Sequence, residues 1–276
     1  MRKLLSAIIL LCLVLKCKSQ DYHFTVAKAG TGKTNVILLP GFASSGEVWN
    51  ETVQALKSSC TCYVLTMPGF AGVTAEDEPD LRIWETRIAE FITLKKIDHP
   101  VIIGHSLGGV LAMWLAADYP SLLSKVIIVD ALPCLRALYN PTTKVTSQPD
   151  CSSFINSFVS MEDDQFYKIQ RSSVATLVGD TSKYETISKW SMLSDRKTLG
   201  KIYCQFTNTD LRDTIANIAC PTLVLLESGF KALSSSITAQ YKKLKSADLR
   251  YSDNSMHFIM YDDWTWFIRQ VKEFIG

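Results

Sequence analysis

The chain has 276 residues, of which 47% are apolar and 20% are charged, and its formal net charge at pH 7 is +2. This length fits one sizeable domain with an insertion, and this composition is typical of globular proteins and excludes a disordered chain. Lys and Arg form no polybasic run outside the first residues. We therefore expect no nucleic-acid partner and no electrostatic attraction to membranes.

The first 19 residues have the features of a secretory signal peptide. Arg2 and Lys3 precede an apolar run over 4–15, and small residues lead to a possible cleavage site before Gln20. The run is too short to span a bilayer comfortably, so we predict an exported chain (periplasmic or extracellular) without stable membrane insertion after signal removal; a retained anchor is the alternative. Without residues 1–19, which hold four basic and no acidic residues, 25 basic and 27 acidic residues remain, a net charge of −2.

The cysteine content agrees with export. Eight cysteines fall to six when Cys12 and Cys17 leave with the signal. An even number in an exported chain permits disulfides. The pair Cys134–Cys151 is the preferred bridge because it closes a short loop, and free buried thiols are the alternative.

Short apolar runs alternate with amphipathic stretches along the rest of the chain, and this alternation predicts an α/β protein. The first five runs are continuously apolar, as expected of a mostly parallel sheet with helices on both faces. Segment 22–30 adds a possible antiparallel edge strand. The predicted strands are 35–40, 62–68, 101–104, 125–130, 222–227 and 248–253, and helical patterns lie near 47–58, 81–95, 107–119, 208–217, 234–245 and 261–275.

One region breaks this alternation. From about 133 to 206 there is no strand-like apolar run, only Ser/Thr/Pro-rich turns and short helical patterns. Some seventy residues are too many for a structureless loop in a compact domain. We therefore predict a helical cap at 133–206, inserted in a core formed by 20–132 and 207–276.

The stretch GTGKT at 30–34 resembles part of a phosphate-binding loop but fails its requirements. The first glycine of that motif is replaced by Ala27, and the stretch leads into a predicted strand where the motif opens a helix. We interpret it as a hairpin turn and expect no nucleotide. No H-E-x-x-H or C-x-x-C motif occurs, so neither a metal nor another cofactor is expected.

The segment Gly104-His105-Ser106-Leu107-Gly108 fits the pattern G-x-S-x-G. A predicted strand ends at Gly104, and a helical pattern starts at once, which is the context that a nucleophile turn requires. Such a turn lifts the serine hydroxyl above the sheet edge, and the flanking glycines leave room for the backbone. The helix N-terminus directs its partial positive charge at a developing oxyanion.

These features together resemble the α/β-hydrolase fold family, of the serine esterase or lipase kind, over nearly the whole chain after the signal. The resemblance implies an oxyanion hole formed by the backbone N–H groups of Phe42 and Leu107. The family commonly has His-Gly before the first of these donors, whereas this chain has Pro40-Gly41. The matching segments are LLPGF (38–42), MPGFAG (67–72), GHSLGGVLAMWLA (104–116) and SMHFIMYDDWTWF (255–267).

Of the four histidines, His257 is the predicted general base. Sites of parallel α/β sheets lie beyond the carboxyl ends of the strands, and His257 follows the last predicted strand in a short loop. It also matches the histidine of the family. His99 precedes its strand, His23 is close to the N-terminus, and His105 is expected to point away from Ser106.

The acid is less clear, because Phe230 stands where much of the family has aspartate. Asp130 ends the strand after the nucleophile and is the preferred partner of the histidine Nδ1–H, since that bond fixes the tautomer and stabilises the imidazolium. Glu227, at the end of a later strand, is the alternative acid. Asp253, Asp262 or no acid at all remain open.

We therefore predict a serine hydrolase that cleaves a small-molecule carboxylic ester through Ser106, His257 and Asp130 and an acyl-enzyme. A non-catalytic hydrolase fold that holds an apolar ligand under the cap is one alternative, and a cofactor-free haloperoxidase or perhydrolase is another. Six large side chains of the cap either line an acyl pocket or, as we expect, pack the cap: Phe154, Phe158, Phe166, Tyr167, Trp190 and Met192.

Overall fold

A seven-stranded sheet runs through the centre of the computed structural model, which describes residues 22–276. The predicted signal peptide lies outside the described residues. No helix within residues 22–276 is long and apolar enough to cross a membrane. The strands are β1 (Thr25–Ala29), β2 (Thr34–Leu39), β3 (Cys60–Thr66), β4 (Val101–His105), β5 (Lys125–Val129), β6 (Thr222–Leu226) and β7 (Ala247–Tyr251).

The strand order is β1-β3-β2-β4-β5-β6-β7, and every neighbouring pair is parallel except β1 with β3. The predicted fold class, a mostly parallel sheet with an antiparallel edge strand, is confirmed. The sheet is covered on both faces, which explains its continuously apolar strands. In β2, Ile37 and Leu39 face one core cluster, whereas Val36 and Leu38 face the other.

Helices pack on both faces of the sheet. Trp84 of α2 and Leu111 of α3 belong to one core cluster, and Val53 of α1 and Phe267 of α10 belong to the other. The helices are α1 (Asn50–Leu56), α2 (Leu81–Leu94), α3 (Leu107–Asp118), α4 (Ser152–Val159), α5 (Asp163–Ala175), α6 (Tyr184–Met192), α7 (Arg196–Thr207), α8 (Ser234–Tyr241), α9 (Ile259–Asp262) and α10 (Trp264–Ile275).

Two local predictions were wrong. The pattern at 208–217 forms only a short 3-10 helix, Thr214–Asn217. The backbone N–H groups of Leu211 and Arg212 donate to the carbonyl of Pro133 and to the carboxylate of Asp210, and are therefore not available to helical carbonyls. The stretch at 30–34 is not a hairpin turn, since β3 lies between the two strands that it connects.

Four helices, α4 to α7, occupy the chain between β5 and β6, where the sequence predicts a helical cap. A disulfide joins Cys151, just before α4, to Cys204 in α7. The predicted pair Cys134–Cys151 was wrong, and Cys134 is a buried free thiol. Cys151 bonds to Cys204 because α7, which contains Cys204, packs against α4.

The disulfide makes a stability prediction. It closes a loop with a sequence separation of 53 residues, and cross-links of native structures are worth roughly 2–4 kcal/mol of unfolding free energy. We expect a reductant to lower the midpoint of thermal unfolding of the wild-type chain. The double variant Cys151→Ser/Cys204→Ser should have the lower midpoint without reductant, and adding reductant should not change it. A wild-type midpoint that is insensitive to reductant would contradict this assignment.

Candidate active site

Ser106 lies on a strained turn between β4 and α3. Its φ of 51° and ψ of −117° are far from the regions that side-chain-bearing residues usually occupy. The flanking glycines are required sterically: a Cβ on Gly104 would lie 2.1 Å from the carbonyl oxygen of Gly108, and a Cβ on Gly108 would lie 2.4 Å from that of Leu39. The Ser106 N–H donates to the carbonyl of Val129 at 2.9 Å. The sequence therefore holds the hydroxyl on a rigid corner at the carboxyl edge of the sheet.

His257 lies in the loop between β7 and α9, and backbone hydrogen bonds on both sides hold it. The preceding Met256 N–H donates to a carboxylate oxygen of Asp262 at 2.9 Å. The following Phe258 N–H donates to the carbonyl of Leu177, just after α5, at 3.1 Å. The loop is thus tied both to its own helix and to the helices between β5 and β6.

Asp130 and His257 are hydrogen-bonded. Nδ1 of His257 lies 2.6 Å from Oδ2 of Asp130, whose side chain is fully buried. The other carboxylate oxygen, Oδ1, accepts the N–H of Glu227 at 2.7 Å. Both oxygens therefore have partners, and a carboxylate held in this way keeps the histidine proton on Nδ1 and Nε2 free to accept one.

Among the described residues, none of the other candidate acids forms a hydrogen bond with the His257 ring. Glu227 lines the same cavity, but its contact with Asp130 is through the backbone N–H. Asp253 forms an ion pair with Lys231. Asp262 accepts the backbone N–H groups of Met256 and Gly179. The structure therefore brings Asp130 to His257 and uses Asp262 to hold the loop.

Two of the remaining histidines are remote from Ser106 in their contacts. His23 faces Glu76 at 2.9 Å, and the exposed His99 faces its neighbour Asp98 at 2.7 Å.

His105 has a contact that the sequence did not suggest. Its Nε2–H donates to the backbone carbonyl of His257 at 3.0 Å, and the two imidazole centroids are 4.6 Å apart. The ring is 1% exposed. Burial, together with the charge that His257 can carry, lowers the pKa of His105 well below its usual value. A neutral His105 thus supports the backbone of the candidate base.

Ser106 and His257 face one cavity. Ser106 is 9% exposed, and within residues 22–276 no hydrogen bond joins its hydroxyl to His257. Such bonds are often long without substrate and tighten in the complex.

Phe42 and Leu107 present backbone N–H groups beside Ser106. A Cβ on Gly41, next to Phe42, would lie 3.2 Å from the Cβ of Ser106, so this loop runs against the serine. Leu107 follows Ser106 and opens α3. In the described part of the chain, neither N–H has an acceptor, which leaves both available to an oxyanion.

The cavity above Ser106 has a volume of about 590 Å³, a size typical of small-molecule sites. Of the six large side chains singled out between β5 and β6, only Phe158 lines it; Phe166, for example, is fully buried in the core. Sequence reasoning missed most of the apolar wall, which includes Phe42, Leu132, Leu135, Ile169, Leu177, Ile187, Tyr203, Phe206 and Phe230.

A larger cleft of about 1000 Å³ lies elsewhere, between Trp114, Arg212 and Lys242. It contains none of the candidate catalytic residues, so we place the chemistry in the smaller cavity.

No group of three or more potential metal-binding side chains (His, Cys, Asp or Glu) occurs within residues 22–276.

Comparison with known proteins is consistent with this geometry. A sequence profile of the α/β-hydrolase fold matches residues 34–185. The chain belongs to the α/β-hydrolase family. A pimeloyl-[acyl-carrier protein] methyl ester esterase of Proteus mirabilis is 24% identical over 198 residues, which are 71% of this chain and 74% of that protein. A Vibrio atlanticus protein of the same name is 26% identical over 198 residues, 69% of this chain and 74% of its own length.

Solved structures share the fold of this α/β hydrolase. A hydrolase from Pseudomonas aeruginosa superposes with a TM-score of 0.77 at 17% identity, covering 92% of this chain and 94% of that one. An enol-lactonase from Burkholderia xenovorans gives a TM-score of 0.76 at 14% identity, with 91% and 96% covered.

The low pKa of His105 predicts acid sensitivity. Below about pH 6.5 the unfolded chain binds a proton at this side chain, whereas the folded chain does not. The free energy of unfolding therefore decreases as the pH falls below about 6.5. At pH 5.5 this histidine therefore lowers the free energy of unfolding relative to pH 7.5, by roughly 1 kcal/mol. Urea unfolding of wild type and His105→Asn at both pH values measures this contribution, which the variant should lack.

An NMR titration of the wild type tests the same claim without depending on how well the variant folds. We expect the ring proton of His105 not to titrate between pH 5.5 and 8 in the folded wild type. Titration near pH 6.5 would show that the ring is not held neutral.

Proposed function

We propose that this α/β hydrolase is a serine esterase that cleaves a small carboxylic ester through an acyl-enzyme. The observation that carries the proposal is the hydrogen bond of 2.6 Å between Asp130 and His257, in a cavity that also contains Ser106. Serine, histidine and carboxylate on this fold have the chain order Ser106, Asp130, His257 that is typical of such hydrolases.

In the proposed reaction the Ser106 hydroxyl attacks the ester carbonyl, and His257 Nε2 takes its proton. The carbonyl π electrons move to the oxygen, and the N–H groups of Phe42 and Leu107 bind that oxyanion. As the tetrahedral intermediate collapses, the C–O bond breaks, and His257 returns the proton to the leaving alcohol. Asp130 stabilises the imidazolium throughout.

Water completes the cycle. It attacks the acyl-enzyme carbonyl while His257 takes one of its protons. The second tetrahedral intermediate then collapses, the bond from the acyl carbon to Ser106 Oγ breaks, and His257 returns the proton to that oxygen as the carboxylic acid leaves. No metal or cofactor takes part in these steps.

The named relatives support ester chemistry, since those from Proteus and Vibrio are methyl ester esterases. The alternative is a non-catalytic binding protein, and the missing aspartate at position 230 would support it if no other acid reached His257. It loses that support because Asp130 contacts His257 directly. Haloperoxidase or perhydrolase chemistry would use the same three residues, and no contact in the cavity favours it over hydrolysis.

We also propose that the chain is exported and that helices α4 to α7 form a cap. The Cys151–Cys204 disulfide supports export, because such bonds persist in oxidising compartments. Side chains of α5, α6 and α7 in the cavity wall, such as Ile169, Ile187 and Tyr203, support the role of these helices as a cap.

The first test asks whether Ser106 is the nucleophile. A chain-length panel of nitrophenyl esters should be hydrolysed by wild type, and Ser106→Ala should retain at most about 10⁻³ of the turnover. A fluorophosphonate should label wild type at Ser106 and leave the variant unmodified, by mass spectrometry. Equal hydrolysis by the two proteins would sink the proposal, and labelling without turnover on any ester would favour the binding protein.

The second test separates Asp130 from the other acids. Asp130→Asn should lower kcat by roughly 10³–10⁴, because the amide cannot hold the required tautomer. Asp253→Asn, which changes the same charge at an exposed ion pair, is the control and should keep near wild-type kcat. If the Asp130 variant also kept wild-type kcat, another residue would have to be the acid.

A further inference from the structure

The wall of the cavity above Ser106 contains no permanently positive side chain among its described residues. None of its described lining residues is Lys or Arg, and its two acidic side chains are Asp130 and Glu227. The rest of the wall is mostly aromatic and aliphatic. A negatively charged group on a ligand would therefore lose its hydration on binding and would find no lysine or arginine to pair with.

The carboxyl of Glu227 is the one acidic group of this wall without a set partner. Asp130 is engaged on both oxygens, by His257 and by the N–H of Glu227. The Glu227 side chain is half-buried and makes no hydrogen bond within residues 22–276. Its backbone is fixed, because the bond from its N–H to Asp130 is only 2.7 Å long. Glu227 is therefore anchored beside Asp130 and His257, and it lines the cavity.

The groups around Glu227 make it titratable near neutrality. Burial raises its pKa to about 7, and the negative charges of Asp130 and Asp262 act in the same direction, while His257 opposes them. These three groups come from the end of β5, from α9 and from the loop after β7. Because the pKa lies near the working pH of most enzymes, the carboxyl gains its charge as the pH rises through about 7.

We propose that Glu227 is a specificity-determining residue that makes this cavity select esters with an uncharged acyl chain and reject those whose acyl chain carries a carboxylate. This inference rests on the proposed esterase function and adds the substrate class. The apolar wall favours an uncharged chain by burial, and the Glu227 carboxylate repels an anionic one.

The expected size follows from Coulomb's law. Two like charges at about 8 Å, with an effective dielectric constant of roughly 20–40 at a partly solvated site, repel by an amount that corresponds to about tenfold in kcat/KM. This discrimination requires ionised Glu227, so it is present above pH 7 and is lost as the pH falls through about 7.

The test uses two esters that differ in one charge, namely the 4-nitrophenyl ester of adipic acid with its distal carboxyl free and the same ester with that carboxyl converted to a primary amide. The free carboxyl stays ionised from pH 5.5 to 8.5. The measured quantity is the kcat/KM of the neutral ester divided by that of the anionic ester. Effects of pH on the chemical steps that the two esters share cancel in this ratio, and the Glu227→Gln variant reports the pH dependence that the other groups of the cavity contribute.

In wild type the ratio should rise about tenfold between pH 5.5 and 8.5. In Glu227→Gln, which keeps the shape of the side chain, it should stay at the low-pH value. Glu90→Gln is the matched control: it removes one negative charge from an exposed position outside the cavity and should give the wild-type profile. Circular dichroism and thermal melting check that each variant is folded.

Three outcomes would overturn the proposal: a pH-independent ratio in wild type, the same rise in Glu227→Gln, or a loss of kcat/KM for both esters by orders of magnitude in that variant. The last would make Glu227 the acid of the catalytic set. Failure of the proposed function is distinct, since wild type would then hydrolyse neither ester, or Ser106→Ala would hydrolyse both.

Discussion

The short hydrogen bond between Asp130 and His257 is the contact on which the candidate site depends. It joins a residue at the end of β5 to a loop that follows β7, across a separation of 127 residues. The parallel sheet makes it possible, because the carboxyl ends of β4, β5 and β6 lie at one edge, and the Asp130 N–H donates to the carbonyl of Leu225 in β6. The same edge carries the Ser106 turn, so the fold brings all three residues to one cavity.

This bond is supported from several sides. Asp130 itself has a φ of 48°, a strained value that places its carboxylate between His257 and the Glu227 N–H. The ring N–H of His105 donates to the carbonyl of His257, and Asp262 accepts the backbone N–H of Met256, just before His257. Each support is a fixed dipole or charge that is in place before any reaction, which is how proteins stabilise charge at low reorganisation cost.

The fold and the family were predictable from the sequence, because apolar strands, glycines 104 and 108 and the turn around Ser106 are local signals. The disulfide was not: Cys204 meets Cys151 only because α4 and α7 pack together, and no local pattern encodes that contact. The helix expected at 208–217 is absent for a similar reason, since the Leu211 N–H donates to the carbonyl of the distant Pro133. The contact of His105 with His257 and the position of Glu227 likewise depend on how distant segments meet.

The most direct measurement is a crystal structure of the protein inactivated by an organophosphate. We expect phosphorus bonded to Ser106 Oγ, the phosphoryl oxygen within about 2.7–3.1 Å of the Phe42 and Leu107 nitrogens, and the imidazole of His257 between the adduct and Asp130. A phosphoryl group on another residue, or an adduct on Ser106 with His257 turned away from it, would contradict the catalytic roles of Ser106 and His257.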